Sequence, residues 1–326
     1  MKSLQHPITA GVDVDSRFLH LAIRKEGRYV RRRFDNTDPG CAELVHLLLD
    51  HQVERVVFEA TGNYTRRLTK ALRQSEIFWT ELNPRSVRDL AKGLGQLHKT
   101  DKADAYLLAE LAFMIQPKPT TPRKPLHLEL RDVSRQIAKL TQDKANVKKR
   151  LRVPLRAQAA VESDRRYLEF LEEEIARLER RWLDLLRSEP ELRQRYELAL
   201  SVPNVGPKTA RVLVSELPAD LEPYRVKQLV AYCGPAPRDN ASGTRIGPSW
   251  VPHTGNSYLH KALHMPALSS IRRRPDMRAL YLRLVGQGKH HLRALTAVAR
   301  QLASEAMAVL KRGSPWLATA PRLDRA

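Results

Sequence analysis

The chain contains 326 residues, of which 42% are hydrophobic and 29% charged, so it is long enough for two or three domains with sizeable cores. It has no apolar run near the roughly 20 residues that a membrane-spanning helix requires. The stretch MKSLQHPITAGVDVD lacks the features of a signal peptide, and Cys41 and Cys233 are too few for a disulfide framework or a zinc ligand set. These features predict a cytoplasmic protein.

The charge balance is strongly basic. Lysine and arginine outnumber aspartate and glutamate by 57 to 36, which gives a formal net charge of +21 and a pI near 10.3. Such an excess favours a polyanionic partner, and nucleic acid is the expected one. Charge alone leaves open a basic protein without enzymatic activity, such as a ribosome-associated factor.

Residues 1–125 alternate strand-like and helix-like patterns and predict a first domain, a mixed sheet flanked by helices as in the ribonuclease H-like fold. Residues 8–35 predict a three-stranded meander. The elements expected after it are a helix over 40–51, a strand over 53–60, a helix over Arg66–Gln74, a strand over 77–83 that stops at Pro84, and a helix from Thr100 to about Ile115. In such a sheet the first and fourth strands would be neighbours.

The segment QPKPTTPRKP (116–125) contains four prolines and predicts an extended spacer at the end of this domain. Residues 126–188 predict a helical or coiled-coil segment, because apolar side chains recur at steps of three or four residues. These side chains are Leu168, Leu171, Ile175, Leu178, Trp182 and Leu185. Such a narrow apolar seam is buried either against a second chain or within a hairpin of one chain, and the sequence leaves both open.

Residues 189–326 predict a third, mainly helical domain. Val202 to Ala210 is typical of a helix, a tight turn (PNVG) and a second helix, which resembles the helix-hairpin-helix element. There, the backbone N–H groups at a helix start bind a phosphate and Lys208 would add a positive charge. An ordinary helical corner is the alternative. The basic run that follows predicts a phosphate-binding surface through Arg272, Arg273 and Arg274.

Four carboxylates of the first domain are expected to converge. Asp13 and Glu59 end the two strands that would be neighbours, while Asp101 and Asp104 share one face at a helix start. Converging carboxylates repel unless cations lie between them, and two divalent ions about 4 Å apart are a phosphodiester-cleaving arrangement. Two alternatives remain: Asp15 competes with Asp13 as the strand-end acid, and Asp101 with Asp104 also fits a helix cap.

Several motifs carry a resemblance to a known family. GVD, EATGNY and KTDKADAYLLAE stand in the first domain, and SVPNVGPKTARVLVSEL, LVAYCGPAPR, ASG and TGNSYLHKAL follow in the last. Together they resemble the insertion sequence 110 family of transposases, which includes the Piv/MooV DNA invertases, over nearly the whole chain. The resemblance implies a RuvC-like domain with Asp-Glu-Asp-Asp acids, a transposase domain with a serine nucleophile, and guidance by a structured noncoding bridge RNA.

Carried over to this sequence, the resemblance makes Asp13, Glu59, Asp101 and Asp104 the catalytic, metal-binding acids and Ser242 the nucleophile. The implied cofactor is Mg²⁺, as two divalent ions. Attack by a serine on a phosphodiester would form a phosphoserine link that conserves bond energy for rejoining. The implied partners are double-stranded donor and target DNA, the guide RNA and further copies of the chain, as a dimer or as a tetramer during synapsis. The implied location is a bacterial or archaeal cytoplasm, in association with the nucleoid.

The sequence departs from the family pattern near this serine. ASGTRIGPSWVPHTGN has a shorter spacing than its relatives and an unusual Pro-Ser-Trp, so Ser249 is an alternative to Ser242, and Arg245 is a further candidate nucleic-acid contact. Other functions also remain open: a RuvC-like structure-specific endonuclease, such as a junction resolvase, without serine chemistry, or a non-catalytic RNA-binding protein. An ATPase of the actin-like superfamily is disfavoured, because DVDSRF lacks a glycine-rich phosphate loop.

Overall fold

The computed structural model describes residues 7–93, 101–235, 238–242, 245–250 and 255–317; for 101–103, 238–242 and 245–250 the description covers the backbone alone. The chain divides into two compact units, Met1–Pro122 and Arg123–Ala326. Among the described residues, none of the helices combines the length and apolar character that a membrane span needs.

The first unit contains a mixed five-stranded sheet in the order β3-β2-β1-β4-β5. Its strands are β1 (Thr9–Val14), β2 (Phe18–Lys25), β3 (Arg28–Asp35), β4 (Arg55–Glu59) and β5 (Phe78–Leu82). The first three form an antiparallel meander, whereas β4 runs parallel to both β1 and β5. The mixed sheet and the adjacency of the first and fourth strands confirm the prediction from the sequence.

In the part of this unit that the structure describes, four helices cover the sheet: α1 (Asp38–Asp50), α2 (Arg66–Leu72), α3 (Pro84–Gly93) and α4 (Asp101–Ile115). The Thr37 hydroxyl caps α1 by accepting a hydrogen bond from the Gly40 backbone N–H at 3.2 Å. The sequence prediction omitted α3, because it treated Pro84 only as the end of a strand. Proline is also favoured in the first turn of a helix, where its missing N–H costs nothing, and here it begins one.

The two faces of the sheet pack against different helices, as the side chains of β1 show. Ala10, Val12 and Val14 are buried in a core that β1 shares with α1 and α2. The alternate positions face α4: the Thr9 hydroxyl donates to the Ala109 carbonyl at 3.0 Å, and Gly11 lies against the α4 backbone. Because side chains alternate along a strand, residues of odd number in β1 point to the α4 face.

The second unit begins with a helical hairpin of α5 (Pro125–Leu151) and α6 (Gln158–Arg187). Ion pairs at both ends show that the helices are antiparallel, since Glu129 bonds Arg181 at 2.6 Å and Lys144 bonds Glu172 at 3.0 Å. The apolar seam expected from the sequence therefore lies against a partner helix of the same chain. Buried Trp182 extends this core to the next helices, and its indole N–H donates to the Ser215 hydroxyl at 3.0 Å.

The other described residues of the second unit form helices and a two-stranded hairpin. Its elements are α7 (Pro190–Ser201), α8 (Pro207–Glu216), α9 (Val226–Tyr232), β6 (Arg238–Ser242), β7 (Arg245–Trp250), α10 (Ser257–Arg273), α11 (Pro275–Gly286) and α12 (His291–Arg312). Buried side chains along α12 form the middle of the core. The succession of α7, a turn and α8 was expected from the sequence, whereas the antiparallel pair of β6 and β7 was not.

Candidate active site

Asp13 and Glu59 stand side by side at one edge of the sheet. The parallel register of β1 and β4 pairs Val12 with Phe58, and Asp13 and Glu59 are the next residues along these two strands. Facing residues of neighbouring strands point to the same side of a sheet, and both side chains are half-buried. The side is that of α4, because Asp13 is two residues from Gly11 and Glu59 is two residues from Val57, which packs on α4.

The direction of α4 brings its first turn towards the same edge. Thr9 contacts Ala109, whereas a Cβ on Gly11 would lie 2.2 Å from the Ala105 carbonyl oxygen, so two residues along β1 correspond to about one turn back along α4. Two strand residues span about 6.6 Å and four helical residues about 6 Å. The same step from Gly11 to Asp13 leads to the turn that begins at Asp101 and contains Asp104.

Asp104 is half-buried in this first turn, and α4 begins at Asp101, whose side chain lies outside the described residues. The residue before Asp101, Thr100, is also outside them, so the helix-cap alternative stays a prediction. Among the side chains that the structure describes, no three His, Cys, Asp or Glu residues are grouped closely enough to hold a metal ion. In chemical type the donor set fits a hard divalent cation, and the described part of it does not form a closed cage.

The carboxylate of Asp15, the alternative strand-end acid, forms hydrogen bonds within the turn between β1 and β2. Its carboxylate accepts the backbone N–H of Arg17 at 2.5 Å and the hydroxyl of Ser16 at 3.2 Å, which folds the turn between β1 and β2. The hydrogen bond from the Arg17 backbone is the main reason that the pKa of Asp15 is lowered. This geometry favours Asp13 over Asp15 as the acid that faces α4.

Two residues near this edge were not singled out from the sequence. His20 of β2 is the cross-strand partner of Asp13. Asn36 is only 3% exposed, and its amide donates to the Asp15 carbonyl at 2.7 Å and to the Tyr64 carbonyl at 3.0 Å. Asn36 thereby joins the end of β1 to the loop that follows Glu59. These contacts join distant segments, and a single asparagine after a strand carries no sequence signal for them.

The candidate nucleic-acid contacts of the second unit differ in their surroundings. Lys208 is exposed in the first turn of α8, and Arg272 and Arg273 are exposed at the end of α10. The Arg274 side chain is only 13% exposed and bonds Glu305 and Asp276, each at 2.6 Å. Because its guanidinium is engaged inside the fold, Arg274 is a weaker candidate for a phosphate contact than its two neighbours.

The serine candidates lie on the β6–β7 hairpin. Ser242 is the last residue of β6 and faces Arg245, the first residue of β7, while Ser249 is the next-to-last residue of β7. The side chains of all three are outside the described residues, so the choice between the two serines and the role of Arg245 stay predictions.

Comparisons with known proteins define the class. A family model described as "Transposase" matches residues 10–158, and a second, described as "Transposase IS116/IS110/IS902 family", matches residues 196–282. The first match contains both strand ends and α4, and the second contains α8 and the β6–β7 hairpin. The chain is therefore a transposase, an enzyme of DNA recombination. It belongs to the IS110 family, as the motifs in its sequence predicted.

Individual relatives agree with this assignment. The chain is 26% identical to a "Pilin gene-inverting protein" of Moraxella bovis over 94% of this chain and 96% of that protein. It is 34% identical to an "Insertion element IS110 uncharacterized 43.6 kDa protein" of Streptomyces coelicolor, over 35% of this chain and 28% of that protein. The structure of T. thermophilus RuvC in complex with a Holliday junction substrate aligns at a TM-score of 0.28 and 16% identity, covering 35% of this chain and 100% of that one. A likeness at that level does not define the fold.

Proposed function

We propose that this transposase cleaves DNA at the edge of the sheet where Asp13 and Glu59 meet the first turn of α4, and that Ser242 is the nucleophile. The observation that carries the proposal is the placement of two carboxylates on neighbouring strands, on the face that α4 crosses towards the same edge. The strand order, with β1 between an antiparallel and a parallel neighbour, supports a RuvC-like, ribonuclease H-like fold for this unit.

Asp13, Glu59, Asp101 and Asp104 would hold divalent cations, with Mg²⁺ as the expected ion, since carboxylate oxygens are its preferred protein ligands. Bound cations would neutralise the charge that develops on the reacting phosphate oxygens. The fold of the chain contributes by positioning these carboxylates. Two strands fix the first two carboxylates, and Gly11 lets the helix that carries the other two approach the sheet closely.

The serine chemistry conserves the energy of the phosphodiester bond. The Ser242 hydroxyl loses its proton as its Oγ attacks phosphorus, a new Oγ–P bond forms, and the bond from phosphorus to the 3′ oxygen breaks. The 3′ oxygen takes a proton and leaves as a hydroxyl, so one strand end is a 3′-hydroxyl and the other is linked to serine. Attack by a second 3′-hydroxyl reverses the step and returns the proton to Ser242. The balance needs no ATP or oxidant.

The proposed binding partners rest on the net charge of the chain and on its family. A net charge of +21 supports binding of DNA duplexes and of a structured RNA, and the motifs that resemble the family support a noncoding RNA as the guide. A homo-oligomer would supply the several active sites that exchange of two duplexes requires. Inversion of a DNA segment, which the name of the Moraxella relative describes, also consists of cutting and rejoining strands.

Cleavage and trapping by the full-length protein test the proposal. The substrate is a labelled duplex that spans the joined ends of the element encoding the chain, with RNA transcribed from its flanking noncoding DNA and with Mg²⁺. We expect Asp13→Asn, Glu59→Gln and Asp104→Asn to lose cleavage by at least 100-fold while the unfolding midpoint changes little. Asp15→Asn, which keeps a side-chain acceptor in the β1–β2 turn, is the matched control and should cleave like the wild type.

The serine and the guide have separate readouts in the same assay. Denaturing gels should show a protein–DNA adduct with the wild type and none with Ser242→Ala, whereas Ser249→Ala should retain it. Omission of the RNA should abolish the reaction on the duplex. Wild-type cleavage by all three acid variants would refute the acidic site, and an adduct that persists in Ser242→Ala would refute the assigned nucleophile.

A further inference from the structure

The segment that carries Ser242 leaves and re-enters the helical core at one point. We call this point the neck, residues 232–235 on the outgoing side and 255–257 on the returning side. The Asn256 backbone N–H donates to the Tyr232 carbonyl at 2.7 Å. Gly234 and Gly255 lie so close that a Cβ on Gly255 would be 2.4 Å from the Gly234 Cα. The two sides of the neck are therefore in backbone contact.

A buried carboxylate lies behind the neck. Glu216, the last residue of α8, is 1% exposed. Arg135 of α5 donates to both of its oxygens, at 2.6 and 2.8 Å, and these bonds are the main reason that the pKa of Arg135 is raised. The Asn256 amide donates to the same carboxylate at 2.7 Å, and the Tyr232 hydroxyl donates to the Glu216 backbone carbonyl at 3.3 Å. Glu216 thus bonds both sides of the neck.

Asn256 uses the two ends of its side chain for different purposes. Its Oδ1 caps α10 by accepting the backbone N–H groups of Tyr258 and Leu259, at 2.9 and 3.2 Å. Its Nδ2 reaches Glu216. A cap needs only the oxygen, and serine or aspartate would supply one equally well. The link to Glu216 is what requires an asparagine at this position.

Stability alone does not explain why a hydrogen-bonded carboxylate is buried at this position. Removing a carboxylate from water is unfavourable, and a well-packed apolar side chain at the same place is often as stabilising as a buried ion pair. What a directional network gives is a fixed geometry, since hydrogen bonds constrain distance and angle where apolar contacts do not. The neck brackets residues 236–254, the stretch of sequence that contains β6 and β7, and Ser242 is the last residue of β6.

We propose that Glu216 and Asn256 are positioning residues for Ser242, and that they act by holding the two sides of the neck together. This inference rests on the proposed function, because it assumes that Ser242 is the nucleophile. In this role neither residue touches the DNA or the reacting atoms. A displacement of about 1 Å at a reacting group can cost about 100-fold in rate, so the loss of the link changes the rate of attack more than it changes folding or binding.

Two variants and two matched controls test the inference in the full-length protein with the same duplex and RNA. Asn256→Ser keeps a good cap for α10 but is too short to reach Glu216. Gly255→Ala parts the two sides, because its Cβ would meet Gly234 backbone atoms at 2.4 and 2.5 Å. Glu179→Gln removes the negative charge from a 2.8 Å pair with Arg211 of α8, away from the neck. Gly286→Ala adds a methyl with nothing within 4 Å.

The measurement is the single-turnover formation of the serine adduct, with amplitude and rate constant recorded separately. Loss of folded protein lowers the amplitude, whereas misplacement of the serine lowers the rate constant. We expect both neck variants to lose at least ten-fold in rate constant, with DNA affinity within about two-fold of the wild type. Both controls should keep the wild-type rate constant.

The outcomes separate the two hypotheses. If the wild type forms an adduct that Ser242→Ala abolishes, and both neck variants keep the wild-type rate constant, the positioning role is refuted and the serine function stands. Neck variants that lose only amplitude, like unfolded protein, would also refute positioning. If the wild type forms no adduct on Ser242, the proposed function falls and the positioning role falls with it.

Discussion

Substitution of Gly11 by alanine tests the site through the packing of α4. The added Cβ would lie 2.2 Å from the Ala105 carbonyl oxygen, 2.4 Å from the Ala109 nitrogen and 2.6 Å from the Leu108 Cβ. All three atoms belong to the helix backbone or are fixed to it, so no change of rotamer relieves the clash. Ordinary contacts begin at 3.4 Å, and α4 would have to move away from β1 by about 1 Å.

That displacement has two expected effects of different size. Overpacking of this kind costs about 1–3 kcal/mol of unfolding free energy. The same shift moves the first turn of α4 away from Asp13 and Glu59, and a misplacement of about 1 Å can cost about 100-fold in rate. Gly11→Ala should therefore remain folded at 25 °C, with a lower urea midpoint, yet lose about 100-fold in single-turnover cleavage.

Gly93→Ala is the control for this prediction. Gly93 ends α3, is exposed, and has nothing within 4 Å of its would-be Cβ, so the substitution should change neither quantity. Circular dichroism and urea unfolding report stability, and cleavage of the labelled duplex reports activity. A Gly11→Ala protein that is folded and cleaves at the wild-type rate would show that the close approach of α4 to β1 does not place the carboxylates proposed to be catalytic.

Two further predictions concern pH and the second unit. His127 is 6% exposed and its ring nitrogens have no hydrogen-bond partner among the described residues. Burial lowers the pKa of His127. Below pH 6.5 the unfolded chain therefore binds more protons than the folded chain does. The unfolding free energy should fall below pH 6.5 by up to about 1.4 kcal/mol per pH unit, and His127→Leu should flatten that slope in urea titrations; an unchanged slope would refute it. Hydrogen bonds from Arg150 and then Arg156 lower the pKa of Asp164 to about 2, so its contribution is present above pH 4 and is lost between pH 4 and 2. Asp164→Asn should speed amide exchange over residues 151–157 at pH 7, and unaltered exchange there would contradict the role of this pair.

Much of the first unit was predictable, because its strands alternate and its helices have regular apolar spacing. The parallel neighbours β1 and β4, and hence the pairing of Asp13 with Glu59, followed from strand order. The start of α4 was expected at the same edge, whereas its close packing on Gly11 was not, since that contact depends on the three-dimensional fold. The α3 helix was missed for a local reason, as Pro84 can end a strand and begin a helix equally well.

The second unit was harder to predict from its sequence. RDNAS and RIGPSW form β6 and β7 without the alternation of apolar and polar residues that signals a strand, and Pro248 argues against one. The network at the neck joins Arg135, Glu216 and Asn256, which are distant in sequence. Each looks like an ordinary surface residue until the fold brings them together, so no local pattern could have indicated them.

The alternation of side chains between the two faces of β1 also disfavours folding with this strand in the wrong register. A strand shifted by a single residue exchanges its two faces, so every side chain of β1 would change sides at once. Asp13 would then enter the apolar core under α1 and α2, and Val12 would press a branched side chain against the backbone of α4, where only a glycine fits. Both errors would destabilise the fold. A chain with β1 out of register is therefore disfavoured, and with it a folded recombinase whose carboxylate is misplaced.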